Sequence, residues 1–308
     1  MSSEKAVGLN LSGLLNIHKP AGMTSRQVVN QIQKLVKPAK TGHAGTLDPL
    51  ATGVLVVCIG SATRLIRFVQ EQPKEYIGEF VLGKRSDTDD ISGNVTDTPN
   101  LPSLTREQLA ACLPALTGKI EQVPPQFSAV HIGGQRAYAR ARRGETFEIQ
   151  PRTVEVYELE LIDFEFPRFQ LRIVCGSGTY VRSLGRDLGE QLGVGAIMTS
   201  LVRTRIGNFH LASAIHLDEE FSLESITGQL QVPASAVKHL PQYECNEREL
   251  LHLSQGRKLE CHPDRFPAHH EQTEIAVMTP EGTLVAIAEW NRSINQLSPR
   301  QVFCQQAH

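Results

Sequence analysis

The chain has 308 residues, 40% of them apolar and 21% charged, and 31 Lys/Arg against 33 Asp/Glu leave a net charge of −2. This is the composition of an ordinary globular chain of about two domains, and no apolar run approaches the roughly 18 residues that cross a bilayer. Met1 to Lys5 opens without a basic flank leading into an apolar core, so no secretory signal and a cytoplasmic setting are expected.

Val28, Val29, Ile32, Leu35 and Val36 recur at helical spacing behind a Thr24-Ser25 cap and ahead of Pro38, which predicts an amphipathic helix over 24–37. Gly42 to Gly53 is dense in glycine and small residues and reads as a loop feeding a buried strand over 54–59. A second strand is expected over 76–82. Asp87, Asp89 and Asp90 follow in a turn that ends at Gly93. Thr105 to Gln108 has capping-box spacing and opens a helix over Leu109, Leu113 and Leu116.

Residues 135–143 read as an Arg-rich helical segment. Segments 154–164 and 169–175 pair as strands joined through Pro167, and 181–192 is a helix stopped by Gly193. Residues 216–240 are mixed and partly helical, and short strands such as 275–278 and 283–287 follow. Helices and strands alternate without a βαβ rhythm, so α+β is favoured over a doubly wound sheet. The expected division is a large domain over 1–240 and a small β-rich one over 241–308. The six cysteines include no C-x-x-C pair, and neither Cys261-His262 nor His269-His270 has metal-ligand spacing, so no metal site is expected.

The charge is unevenly distributed. Residues 1–210 hold 24 Lys/Arg and 20 Asp/Glu, whereas residues 211–308 hold 7 and 13. From Lys5 to Gln70 eight basic residues surround a single acid, Asp48. Clustered cations attract phosphate backbones whatever the total charge, although a solvated surface accounts for them equally well. An Asp before a Pro is ordinarily a helix N-cap. Here it stands in a Gly-flanked loop ahead of a buried strand, where functional groups are presented. An ionised carboxylate on a cationic RNA-binding surface repels phosphate, and acting as a nucleophile is one reason to keep it there.

Gly42-His43-Ala44-Gly45-Thr46-Leu47-Asp48-Pro49-Leu50-Ala51-Thr52-Gly53-Val54-Leu55 resembles the catalytic motif of the TruB family, bacterial tRNA pseudouridine-55 synthases. Further blocks resemble that family in order: Lys19 to Ser25, Tyr76 with Leu82 to Asp90, Pro124 to His131 with Tyr138-Ala139-Arg140, Cys175 to Gly189, and Leu201 to Thr204. The resemblance implies a pseudouridine synthase fold, with a central mixed, largely antiparallel sheet flanked by helices and a small β-rich, PUA-like C-terminal domain. It implies an isomerase that flips a uridine out of the tRNA T-arm loop, detaches it and rejoins it through carbon, with no cofactor.

By the same resemblance Asp48 is the nucleophile, Arg182 its ion-pair partner, and Tyr76 the aromatic that stacks on the uracil. The sequence leaves attack at ribose C1′ or at uracil C6 equally open. Tyr180 lies beside the site, Leu201 lines the uracil pocket, and His43 fills the space left by extruded bases. Arg182 is expected to lower the Asp48 pKa. Lys19, Lys34, Arg64, Arg136, Arg140, Arg142 and Arg143 are candidates for RNA-backbone contacts, in a chain expected to act as a monomer. The sequence departs from the family pattern at Phe127, where Tyr is common, and at His131, Ser177 and Val202, where basic residues are usual. Two further readings are a tRNA-folding chaperone in which catalysis is secondary, and a synthase acting on loops of other RNAs.

Overall fold

The computed structural model describes residues 11–128, 130–132, 134–218, 220–261, 265 and 274–304; Lys5, His262, His269 and His270 lie outside them. In chain order the first elements are β1 (Gly13–Lys19), α1 (Ser25–Val36), β2 (Thr41–His43), β3 (Thr52–Ile59), α2 (Ile66–Gln70) and β4 (Lys74–Leu82). A small hairpin, β5 (Lys84–Ser86) and β6 (Val95–Asp97), precedes α3 (Arg106–Cys112) and β7 (Gly118–Gln122). A second small hairpin, β8 (His131–Ile132) and β9 (Gln135–Arg136), leads into α4 (Ala137–Ala141). Then come β10 (Arg152–Glu165), β11 (Arg168–Cys175), α5 (Val181–Gln191), β12 (Ala196–Ile206), β13 (Phe209–His210), β14 (Ile215–His216) and α6 (Leu223–Gln229).

The main sheet runs β14-β1-β3-β12-β4-β11-β10-β7, with β13 on β12 and β2 on β3. Only the β1–β14 and β3–β12 pairs are parallel, so the sheet is mixed and largely antiparallel, as the α+β reading requires. Beyond it β15 (Gln242–Glu244), α7 (Glu247–Ser254), β16 (Leu259–Glu260), β17 (Glu274–Met278), β18 (Leu284–Asn291) and β19 (Gln296–Val302) form a second sheet of order β15-β17-β18-β19-β16.

α1 begins where the sequence places its cap. Thr24 Oγ1 accepts the Gln27 N–H at 3.2 Å and the Gln27 side chain accepts the Thr24 N–H at 2.8 Å. Its apolar stripe, Val28, Val29, Ile32 and Val36, packs on Leu15, Ile17, Leu55 and Val57. The alternate residues of β1 and β3, including Leu14, Val54, Val56 and Cys58, face a second cluster that holds Phe68 and residues of β17 and β18. β3 is therefore buried on both faces, which is why it reads as an unbroken apolar run. At the same junction Arg67 forks onto Glu274 and the Arg64 guanidinium donates to the Val302 carbonyl at 2.7 Å.

Three elements differ from the sequence reading. The helix from Thr105 ends at Cys112, and Leu113–Leu116 continue as a 3-10 turn because Pro114 has no N–H to give the Ala110 carbonyl, which takes the Leu113 N–H instead. The Arg-rich segment is helical only over Ala137–Ala141, since Gln135–Arg136 pair back on His131–Ile132. β12 carries no clean alternation, as Thr199, Ser200, Arg203, Thr204 and Arg205 interrupt it, yet it lies in the middle of the sheet between β3 and β4. Among the described residues no helix is long and apolar enough to cross a membrane.

α5 covers the half of the sheet that β12, β4 and β11 form, placing Leu184 and Leu188 in a core with Phe80, Leu82, Leu171 and Met198. Close approach is possible because Gly189 has no side chain: a Cβ there would stand 2.2 Å from the Ala196 nitrogen. Gly189→Ala is expected to lower stability by about 1–3 kcal/mol through overpacking against backbone that cannot yield. Urea denaturation should show a lower midpoint at an unchanged m-value.

Candidate active site

Between β2 and β3 the chain makes the turn that carries Asp48. Ser25, the first residue of α1, accepts the Leu47 N–H at 2.8 Å and donates to the Leu47 carbonyl at 3.1 Å, which pins the turn to the start of the helix. The Asp48 carbonyl accepts the Ala51 N–H at 3.1 Å, and Gly22 N–H donates to the Pro49 carbonyl at 2.8 Å. No helix starts at Asp48; the chain turns straight into β3 at Thr52, so the N-cap role usual for Asp-Pro does not apply.

The Asp48 carboxylate meets the Arg182 side chain, Nε to Oδ2 at 3.0 Å and Nη2 to Oδ1 at 3.5 Å. Arg182, 5% exposed, comes from the first turn of α5 and also donates to the Thr88 carbonyl at 2.8 Å and the Phe127 carbonyl at 3.3 Å. Its Nη1 is 3.3 Å from Asp90, whose other oxygen takes Thr88 Oγ1 at 2.8 Å and the Ser92 N–H at 2.9 Å. The neighbouring Asp89 holds Arg186 at 2.8 Å and Ser183 at 3.0 Å. The acidic turn thus anchors α5 and aims Arg182. Burial pushes the Asp48 carboxyl above its ordinary range; the Arg182 and Lys19 charges pull it down, and Asp90 adds to the rise. The downward pull expected of Arg182 is present but outweighed.

Around Asp48 opens a cleft of about 370 Å³, lined among others by Tyr76, Phe127, Tyr180, Leu201 and Arg182. Tyr76 lies opposite Arg203 in the β4–β12 register and opposite Ile173 on β11, so its ring projects from mid-sheet. Burial raises its pKa, which keeps the phenol protonated. Tyr180 precedes α5 and is bracketed by Gln122, which accepts its N–H at 2.8 Å and donates to its carbonyl at 3.0 Å. His43 is on β2, outside the cleft lining, and burial together with the Arg203 and Arg26 charges lowers its pKa, leaving a neutral imidazole.

A half-buried carboxylate held by a buried guanidinium, beside aromatic and aliphatic side chains and a rim of small residues, can receive a planar ring and present an oxygen nucleophile to it. Comparison with known proteins gives it a family. The TruB family pseudouridylate synthase N-terminal domain matches residues 33–181, and the C-terminal domain of tRNA pseudouridylate synthase B matches residues 182–224. The tRNA pseudouridine synthase B of Moorella thermoacetica is 40% identical over 291 residues, covering 90% of this chain and 93% of that one. That of a Synechococcus species is 40% identical over 299 residues, covering 94% and 97%. The chain belongs to the TruB family of pseudouridylate synthases. It is an isomerase, and this favours catalysis over a purely RNA-folding role. The pseudouridine synthase fold extends to a Cbf5-Nop10-Gar1 complex, with a TM-score of 0.73 at 26% identity over 96% of this chain and 85% of that one.

Within the TruB pattern, Phe127 contributes its carbonyl to Arg182, so the missing hydroxyl does not touch that contact. Ser177 is exposed at the cleft rim, His131 is exposed on β8, and Val202 is half-buried opposite Thr52 and Ile77. The proposed backbone cations fare unequally. Lys19 is fully buried, and its Nζ donates to the carbonyls of Pro20 at 2.8 Å, Met23 at 2.6 Å and Pro49 at 3.4 Å, so it braces the Asp48 turn and has no face toward phosphate. Arg64 is exposed but engaged with Val302 and stacked 4.7 Å from the Phe303 ring. Arg140 and Arg143 both reach Glu145 at 2.7 Å. Arg136 is on β9.

Sequence reasoning missed Arg203, Lys74 and the role of Asp90. Arg203, 1% exposed, reaches the carbonyls of Gly45, Thr46 and Val54. Lys74 lies two residues before Tyr76 on the same strand face, and that spacing was a usable signal. Burial pushes Lys74 and Lys19 each down to about 8.

Removing either partner of the Asp48–Arg182 pair should have opposite effects on stability. Arg182→Met strands Asp90, whose side chain is 3% exposed, and is expected to cost about 3–5 kcal/mol. Asp48→Asn leaves Arg182 paired with Asp90. A carboxyl whose folded pKa is raised destabilises the fold once it ionises, so the Asn variant should melt at or above the parent at neutral pH. The difference should shrink as pH falls through the Asp48 pKa. Thermal scans across pH check both.

Proposed function

We propose that this chain converts the uridine at position 55 in the T-arm loop of tRNA to pseudouridine, acting as a monomer in the cytoplasm, with Asp48 as nucleophile. The observation that carries the reading is a carboxylate at the mouth of a nucleoside-sized cleft, held by a buried guanidinium that a second carboxylate, Asp90, keeps in place. Chemistry on a base within a folded loop requires turning it out of the stack, with protein surfaces replacing the lost contacts. Tyr76 and Leu201 supply the two walls for the ring, Tyr180 closes the side, and neutral His43 stacks in the space the base leaves.

In attack at C1′ the Asp48 oxygen bonds to that carbon as the N1–C1′ bond breaks and leaves its electron pair on the ring. The ring turns, C5 bonds to C1′ as the Asp48–C1′ bond breaks, the C5 proton departs and N1 gains one. Atoms are conserved within a single nucleotide, so the chemistry requires no redox cofactor. Arg136, Arg140 and Arg143, with Arg64 and Lys34, are the residues we assign to the RNA backbone, and residues 241–308 to a PUA-like domain distinct from the catalytic 1–240.

Purified protein and an unmodified tRNA transcript, followed by chemical mapping of pseudouridine, test the assignment. Wild type should modify one T-loop uridine and Asp48→Asn none; product at wild-type level from the Asn variant would sink it. Because only ionised Asp48 attacks, the rate should fall as pH is lowered, with a midpoint above the ordinary carboxylate range. Replacing Arg140 and Arg143 together with Ala should weaken RNA binding at low salt and flatten the slope of log K against log salt by roughly 0.7–0.9 per lost phosphate contact.

A further inference from the structure

Arg203 heads the fully buried side chains of the described chain by volume. Its Nε donates to the Val54 carbonyl at 2.7 Å, Nη2 to the Gly45 carbonyl at 3.1 Å and Nη1 to the Thr46 carbonyl at 3.4 Å. These acceptors lie on both sides of Asp48 in the chain, so one guanidinium staples the entry and exit of the turn that carries it. All three are neutral. Burying a guanidinium without a carboxylate partner costs several kcal/mol, and an apolar side chain of similar size would serve packing better. Its main chain is held as tightly. Arg203 pairs with Gly53, and a Cβ on that residue would meet the Arg203 carbonyl at 2.3 Å. On its other side β12 places it opposite Tyr76, and the side chain lines the cleft beside Tyr76, Lys74 and Leu201.

Two jobs follow from this placement. The first is mechanical: the backbone of residues 45–54 cannot shift without breaking a charge-assisted hydrogen bond in a dry setting. The second is electrostatic. Among these cations Lys74 has Glu71 nearby and Arg182 has Asp48, Asp89 and Asp90, whereas Arg203 makes no ion pair among the described residues, so its charge at the cleft floor is not neutralised before substrate arrives. In the isomerisation described above, the electron pair of the N1–C1′ bond passes through the ring. Fixed positive charge under the ring favours that state and not the neutral uridine that precedes it.

We propose that Arg203 is a positioning residue for the isomerisation, which holds the Asp48 turn by its carbonyls and sets an unneutralised positive charge beneath Tyr76 that favours the anionic ring. This rests on the pseudouridine synthase reading and adds to it a residue and a role. The decisive comparison is Arg203→Gln, which keeps a donor without charge, against Arg203→Lys, which keeps charge without the fork. Single-turnover rates are read at saturating T-arm RNA. The Gln variant should slow the step on the order of 10²-fold with KM altered by less than about threefold, while the Lys variant retains most of the rate near neutrality.

The His43 ring, whose pKa Arg203 depresses, should titrate higher by NMR in the Gln variant and unchanged in the Lys variant. Equal rates for the two variants, or a loss confined to KM, would overturn the proposal. If the Gln variant does not fold, the Lys variant alone decides. Burial lowers the neighbouring Lys19 and Lys74 ammoniums and should lower that of the Arg203→Lys variant too, so its rate should show an alkaline fall additional to any in wild type. A profile that superimposes on wild type overturns the proposal. Wild type serves as the control that separates the two claims: no product from wild type refutes the synthase reading, whereas active wild type with an indifferent Gln variant refutes only the role of Arg203.

Discussion

The Arg182 guanidinium, 5% exposed, divides its donors among Asp48, Asp90 and the carbonyls of Thr88 and Phe127. Much of the cleft is organised by that sharing. A lone Asp48–Arg182 pair could swing, because each partner would be the other's only tether. With Asp90 and two carbonyls fixing the far side of the fork, the face offered to Asp48 is set before substrate enters. Asp90 in turn depends on Thr88 and Ser92, and Asp89 beside it anchors α5 through Ser183 and Arg186. The turn between β5 and β6, the first turn of α5 and the loop before β3 are one unit, although they lie far apart in sequence.

That unit also explains the electrostatics of Asp48. Its carboxyl titrates above the ordinary range because burial outweighs the attraction of its cationic neighbours. A carboxylate tied too strongly to its partner would be a poor nucleophile. One that is partly desolvated and held from one side keeps its lone pairs reactive.

Much of this was legible in the sequence. The cap at Thr24, the buried run of β3, the strand pair around Pro167 and the helix that carries Arg182 all follow from local pattern, and the observed elements agree within a few residues. Asp48 stood out because one acid amid basic residues is conspicuous, and the structure places it on the lining of a cleft. What escaped was set by tertiary contact. β12 hid because Arg203 and its polar neighbours break the alternation a strand shows, and they do so because one of them turns inward to the Asp48 loop. Lys19 looked like a surface cation because no local feature distinguishes a lysine facing phosphate from one capping three carbonyls. The Arg-rich segment promised a longer helix than forms, since the β8–β9 pairing competes for its first residues.

The order of strands has a consequence for how the enzyme is made. β3, which follows Asp48, lies between β1 and β12, and the side chain that staples the Asp48 turn sits 149 residues beyond its acceptor on Val54. β1 closes only when Ile215 and His216 arrive beside it. A ribosome adding about 5–20 residues per second needs on the order of ten seconds to deliver that stretch. For most of that interval the nascent chain carries Asp48 on a turn with neither Arg182 nor Arg203 to hold it. Catalytic competence is therefore reached late in synthesis, and a chain released early carries the Asp48 motif without the means to use it.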